Sequence, residues 1–175
     1  MKSFVLPYYV LTLISSQGAK NLPQNPTKQF EHYYQTLDSL LIQKDVKGTL
    51  ALIRDSHTAD YTHESKPDVR GQRTKRNLKE TIESVEKAVR WMAAFKESVS
   101  KVEKVSLSPH KAVVTVISSL SGITPKTPNG KNQIMVLYSK SEDTWVQVGS
   151  KWKIKVIRTL EDRMTIDGKP VPFHS

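Results

Sequence analysis

The hydrophobic pattern of this chain changes period part-way along, and that change limits the fold more than any other feature. From Thr27 to Ile53, and again from Leu78 to Phe95, apolar residues recur at intervals of three and four; after about residue 99 they alternate with polar ones. The first spacing lines one face of a helix, the second one face of a strand. The clearest alternation is "GSKWKIKVIRTLED", where Trp152, Ile154 and Val156 are set against Lys151, Lys153 and Lys155. A strand apolar on one side only belongs to a sheet with one covered and one wet face.

Three helices are expected before the switch. Phe30, Tyr33, Tyr34, Leu37, Leu40 and Leu41 share the first, with Thr27 after Pro26 as N-cap. Asp45 caps a second, shorter helix with Val46, Leu50 and Ile53 inside. A third starts near Asn77, where Glu80 completes a capping-box spacing, and buries Leu78, Ile82, Val85, Val89 and Met92. Glu83–Lys87 and Glu86–Arg90, acid first and four apart, support its wet face.

The strands follow as "SKVEKVSLS", "HKAVVTVISSLSG", "KNQIMVLYSKS", "DTWVQVG" and the Trp152 run. Ser108-Pro109, Asn129-Gly130, Gly149-Ser150 and Asp167-Gly168 supply turns between them. Helices first and strands afterwards indicate an α+β domain, with three helices packed on one face of a curved antiparallel sheet.

The 175 residues suffice for one ordinary domain and are short for two. "MKSFVLPYYVLTLISSQGAK" carries one early lysine, an apolar run from Phe4 to Ile14, and small residues at Ser16 and Gly18. The run is too short to span a bilayer and fits an export signal over residues 1–18; the competing reading is a buried element of the domain. "NLPQNPTKQ" reads as a linker, so 19–27 joins the leader to a domain at 28–175, and the mature protein is secreted or periplasmic. There is no cysteine, which removes disulfides, thiolate metal sites and a cysteine nucleophile. The 27 Lys and Arg exceed the 17 Asp and Glu by 10, and this excess attracts anions without saying which.

The stretch "DTWVQVGSKWKIKVIRTLEDRMTIDGKPV", together with the order helix, helix, "ADYTH", long helix and strands, resembles the nuclear transport factor 2-like superfamily. That superfamily, of cystatin-like shape, includes SnoaL-like cyclases and ketosteroid isomerase. The resemblance implies a cone closed on one side by helices, with a pocket at its mouth and a homodimer formed through the sheet. It speaks for shape and not for chemistry.

Under that resemblance Asp60 and Tyr61 fall near the pocket mouth. Asp60 is either a general base, if burial raises its pKa, or a residue that caps a turn. His63 is a second candidate base. "HTADYTH" has no helical pair and no third ligand at a metal-binding spacing, so no metal is expected. Tyr61, Tyr138, Arg158, Trp91 and Trp145 are the expected pocket residues, with Arg158 continuing the inward face of Trp152–Ile154–Val156 unless a bulge intervenes. Trp91 and Trp145 have core or dimer packing as their competing role. Lys66, Arg70, Arg73, Lys75, Arg76 and Lys79 form a basic run leading to a helix N-terminus; Arg70, Arg73 and Arg76 are its candidate anion ligands.

The chain lacks a phosphate-cradling glycine loop, a Gly-x-Ser-x-Gly elbow and an H-E-x-x-H pair, and "AVVTVISSL" and "QIMVLY" hold no acid or histidine. The expectation is therefore an exported small-ligand-binding domain needing no cofactor and no nucleic acid. The alternatives are a cofactor-independent isomerase or lyase using Asp60 or His63, and a basic module that docks on anionic polymers.

Overall fold

The computed structural model describes residues 26–171. The expected leader, and the linker as far as residue 25, lie outside them. Helix α1 (Pro26–Ile42) and α2 (Val46–Ser56) lead into strand β1 (His57–Glu64); β2 (Lys75–Asn77) precedes α3 (Leu78–Trp91). Four long strands follow, β3 (Ala94–Ser108), β4 (Lys111–Ile123), β5 (Ile134–Val148) and β6 (Lys151–Ile166), with a short β7 (Lys169–Val171).

Of the three expected helix starts, those at Asp45 and Asn77 form as read, whereas α1 already begins at Pro26 and takes Thr27 inside it. Asp45 accepts from Gly48 N at 2.9 Å, and Asn77 and Glu80 bond each other's backbone amides at 3.0 and 2.9 Å. These bonds satisfy amides that have no partner inside the helix. Of the two surface pairs, Glu86–Arg90 closes at 2.8 Å. Phe95, the last residue of the three-and-four pattern, opens β3 instead of extending α3.

The sheet runs β2-β1-β6-β5-β4-β3, with β7 on β6. Its long strands are antiparallel as expected, but β1 lies parallel to β6 and makes the sheet mixed. β1 is reached from α2 and joined by a loop to β2, its antiparallel partner, so no hairpin links it to β6 and sets its direction there.

Bulges bend the sheet around the helices. In β6, Ile154 faces Trp145 and Val156 faces Thr144, so Lys155 is an extra residue. Leu160 is another, between Thr159 opposite Ser141 and Glu161 opposite Lys140. Each extra residue reverses which side chains point inward. The concave side of β6 therefore reads Trp152, Ile154, Ile157, Thr159, Asp162 and Met164.

The concave surface has three zones. At one end Phe30, Tyr33 and Tyr34 of α1 pack on Trp145, with Phe30 and Trp145 ring centroids 4.8 Å apart. A hydroxyl belt follows: Asp38 accepts from Ser98 Oγ at 2.6 Å and from Ser100 N at 2.7 Å, and Ser100 Oγ lies 3.0 Å from Ser118 Oγ. Beyond it the surface is apolar again. There Gly122 lets α3's end close on β3, since a Cβ would meet Met92 Cε and stand 2.6 Å from Ala94 O. Lys44 Nζ ties the α1–α2 turn to the carbonyl of Met92.

Candidate functional site

Beyond the hydroxyl belt, helices and sheet line a half-open cavity of about 360 Å³. Helix α1 contributes Leu37 and Leu41, α2 Ile53, and α3 Val85 and Val89, with Met92 just past its end. The sheet closes it with Phe95, Leu120, Met135, Leu137 and Met164. Every lining side chain is apolar. The helical residues come from the three-and-four pattern and the sheet residues from the inward alternation, so the cavity is where the two patterns face each other without touching.

Leu137 also borders a polar vestibule of about 200 Å³. His63 and Arg76 enter it from directly paired positions on β1 and β2, which sets their side chains side by side. Thr159 and Asp162 of β6, and Ser139 of β5, form the opposite wall. His63 Nε2 lies 3.1 Å from Thr159 Oγ1. Burial first, and the Arg76 charge second, hold the imidazole below its usual pKa and so neutral at physiological pH. Asp162 is engaged by Lys66 at 3.7 Å, and the β1 carboxylate Glu64 by Lys75 and Arg158. Among the described residues no carboxylate pairs with Arg76. A polar cleft of about 350 Å³ continues outward, sharing Ser65, Thr74 and Asp162 with the vestibule and Met164 with the cavity.

Several solved structures share this architecture. A conserved protein from Planctomyces limnophilus is similar at TM-score 0.61 and 10% identity, over 83% of this chain and 98% of that one. A nuclear transport factor 2-like superfamily protein from Salmonella enterica serovar Typhimurium is similar at 0.52 and 11%, over 75% and 87%. A nuclear transport factor 2-like protein from Cytophaga hutchinsonii is similar at 0.50 and 12%, over 77% and 97%. The chain has the nuclear transport factor 2-like fold. No family model and no curated protein matches it.

Within this nuclear transport factor 2-like fold the expected site residues separate. His63 reaches the vestibule, but Asp60 does not: it is exposed on β1 and paired with Lys155 at 2.9 Å. That hydrogen bond holds its carboxyl below the ordinary range, the opposite of what a base at neutral pH needs. Tyr61 is buried away from both spaces, its ring 4.5 Å from His57, and burial pushes its phenol up. Trp145 is core, 1% exposed, while Trp91 sits half-exposed at the cavity's edge.

Arg158 points outward to Glu64 at 2.9 Å, because the bulge at Lys155 reverses the alternation before it is reached. Tyr138, between the inward Leu137 and Ser139, faces the outer side beneath Arg163 at 5.5 Å. Arg73 is committed to structure, its Nη1 donating to the carbonyls of Ser65 at 2.6 Å and Thr159 at 2.7 Å. Arg70 is exposed on the loop. Of the three expected anion ligands only Arg76 meets the vestibule.

Three participants were absent from the sequence reading. Thr159 is hidden by the two bulges. Asp38 stands one residue from the apolar face of α1 and reaches the hydroxyl belt. Asp143 carried a signal: it lies two residues before Trp145 and so shares its inward face. It is 1% exposed, accepts from Tyr34 Oη at 2.6 Å and Ser141 Oγ at 2.7 Å, and burial raises its pKa to about 6. Among the described residues there is no cluster of potential metal ligands, and no helix is long and apolar enough to cross a membrane.

Proposed function

We propose that this chain is a small-molecule-binding domain whose ligand buries an apolar body in the cavity between helices and sheet. The wholly apolar cavity of about 360 Å³ carries the reading. Its size and lining are those of ligand pockets. Water against such walls finds no hydrogen-bond partner in them, and an apolar body that displaces it gains the burial of apolar surface.

Mass spectrometry of organic extracts of the purified full chain tests this, together with titration of an apolar fluorescent dye. An extracted apolar molecule and dye binding that Leu120→Trp abolishes are expected. Empty extracts with no dye binding overturn it.

A second reading, proton-transfer catalysis of the SnoaL-like kind, is favoured by one observation: His63 is a neutral, partly buried imidazole beside the cavity. Deuterium uptake from D2O into a bound enolisable ketone, lost in His63→Gln, supports it; uptake unchanged in that variant removes it. Asp60 has no place in this chemistry.

Two further features belong to the proposal. The N-terminal stretch acts as an export signal on its sequence pattern, and native protein that still begins at Met1 would refute that. The chain pairs with a second copy through its outer sheet face, which bears the exposed Val99, Ile134, Val136 and Val148. Sedimentation of wild type and Val136→Lys tests this, a monomeric wild type being the adverse result.

A further inference from the structure

From the adjoining cavity and vestibule we infer that the ligand is an amphipathic monocarboxylate, its apolar body in the cavity and its carboxylate on Arg76. This rests on the cavity reading and adds the head group. Leu137 lines both spaces and so sets them side by side, and one molecule spans them once the Leu137 side chain turns aside. The vestibule's charges decide the head. Asp162 is offset by Lys66, and Arg76, without a carboxylate partner among the described residues, leaves one uncompensated positive charge.

A guanidinium presents two parallel N–H donors that match a carboxylate. Arg76 is half-buried, in a setting that screens the pair less than open water does. Hydroxyls of Ser139 and Thr159 are at hand for the remaining lone pairs. A dianionic phosphate monoester would bring a second negative charge, with Asp162 close by and, among the described residues, no Lys or Arg besides Arg76 lining the vestibule. A neutral head would leave Arg76 unpaired.

Calorimetric titration of the full chain with octanoate, decanoate and dodecanoate, each against its primary alcohol, tests the assignment. The carboxylates are expected to bind about tenfold more tightly than the alcohols, a difference of ~1.4 kcal/mol. Arg76→Gln removes that preference and leaves alcohol binding unchanged; Arg70→Gln, on the exposed loop, keeps the preference. Equal binding of acid and alcohol by wild type overturns the head-group assignment while the cavity reading stands. So does a preference that survives Arg76→Gln. Binding of neither series by wild type overturns both. The wild-type pair decides the matter even where a variant does not fold.

Discussion

Replacing Asp143 by asparagine isolates the one carboxylate that is buried outright among the described residues. Burial raises its pKa from 3.8 to about 6, while hydroxyls of Tyr34 and Ser141 pull the other way. In the unfolded chain the ordinary value holds. Between about pH 4 and pH 6 the folded state therefore holds the proton more tightly, and stability is full at acid pH and lost as pH rises through that window. A difference of about two pH units at 1.36 kcal/mol each makes the loss ~3 kcal/mol.

His57 acts in the opposite sense. It is 4% exposed, its Nδ1 lies 2.7 Å from Ile53 O, and burial lowers its pKa from 6.5 to about 4. A base so depressed costs stability as pH falls through the same window, again by ~3 kcal/mol. The two slopes nearly cancel in the wild type. Asparagine is neutral throughout, and its Oδ1 and Nδ2 can serve Tyr34 and Ser141. Asp143→Asn is thus expected to be more stable at neutral pH by up to ~3 kcal/mol, and then to lose ~3 kcal/mol on acidification as His57 stands uncompensated. Urea unfolding followed by tryptophan fluorescence across the pH range measures both. A variant less stable than wild type at neutral pH, with an unchanged pH profile, would show that the buried carboxylate ionises without penalty.

Phe30→Ala removes a ring that is 0% exposed and lies between Trp145 and Trp152, and a loss of ~3–5 kcal/mol in urea unfolding is expected; a loss below ~1 kcal/mol would contradict the packing. Arg73→Ala unpairs two carbonyls at a cost of ~1–3 kcal/mol. Hydrogen exchange should quicken in the loop 65–74, and unchanged exchange there counts against the staple. Lys155→Ala loses only an exposed ion pair with Asp60, and its urea unfolding is expected to stay close to that of the wild type; a clear loss of stability would show that this side chain is not merely a surface partner.

Helices were legible wherever one local rule acted alone. Asp45 and Asn77–Glu80 are caps because short polar side chains bond amides within three residues, and no distant contact competes. Strand existence was legible for the same reason, except that "KNQIMVLYSKS" and "DTWVQVG", read as two strands, run together as β5. Strand facing was legible only as far as the first bulge: Trp152 and Ile154 point inward as read, and Arg158 does not. A bulge is chosen by the curvature that the helices impose, which no window of β6 records. Tyr138 was misplaced for a related reason. A tyrosine on a sheet reads as a pocket residue until its neighbours Leu137 and Ser139 are known to face the cavity. The "DY" of β1 fared likewise, since β1's parallel pairing with β6 sets Asp60 beside Lys155.

The hydroxyl belt explains how a molecule can keep a hollow beside a tight core. Apolar groups collapse on one another without directional preference, so a continuous apolar surface would draw α1 down along its whole length. Asp38, fixed by hydrogen bonds to Ser98 and Ser100, sets the distance of the middle of α1 from β3. Hydrogen bonds have a length, and a charge-assisted set fixed at both sides resists both approach and separation. The narrow end can then pack Phe30 against Trp145 while Leu37 and Leu41, farther along the same helix face, stay short of Leu120 and Leu137. Stability is thereby assigned to one stretch of this helix and the proposed binding to another. On that reading, changes at the wide end alter what the cavity accepts while the aromatic core at the narrow end continues to hold the fold.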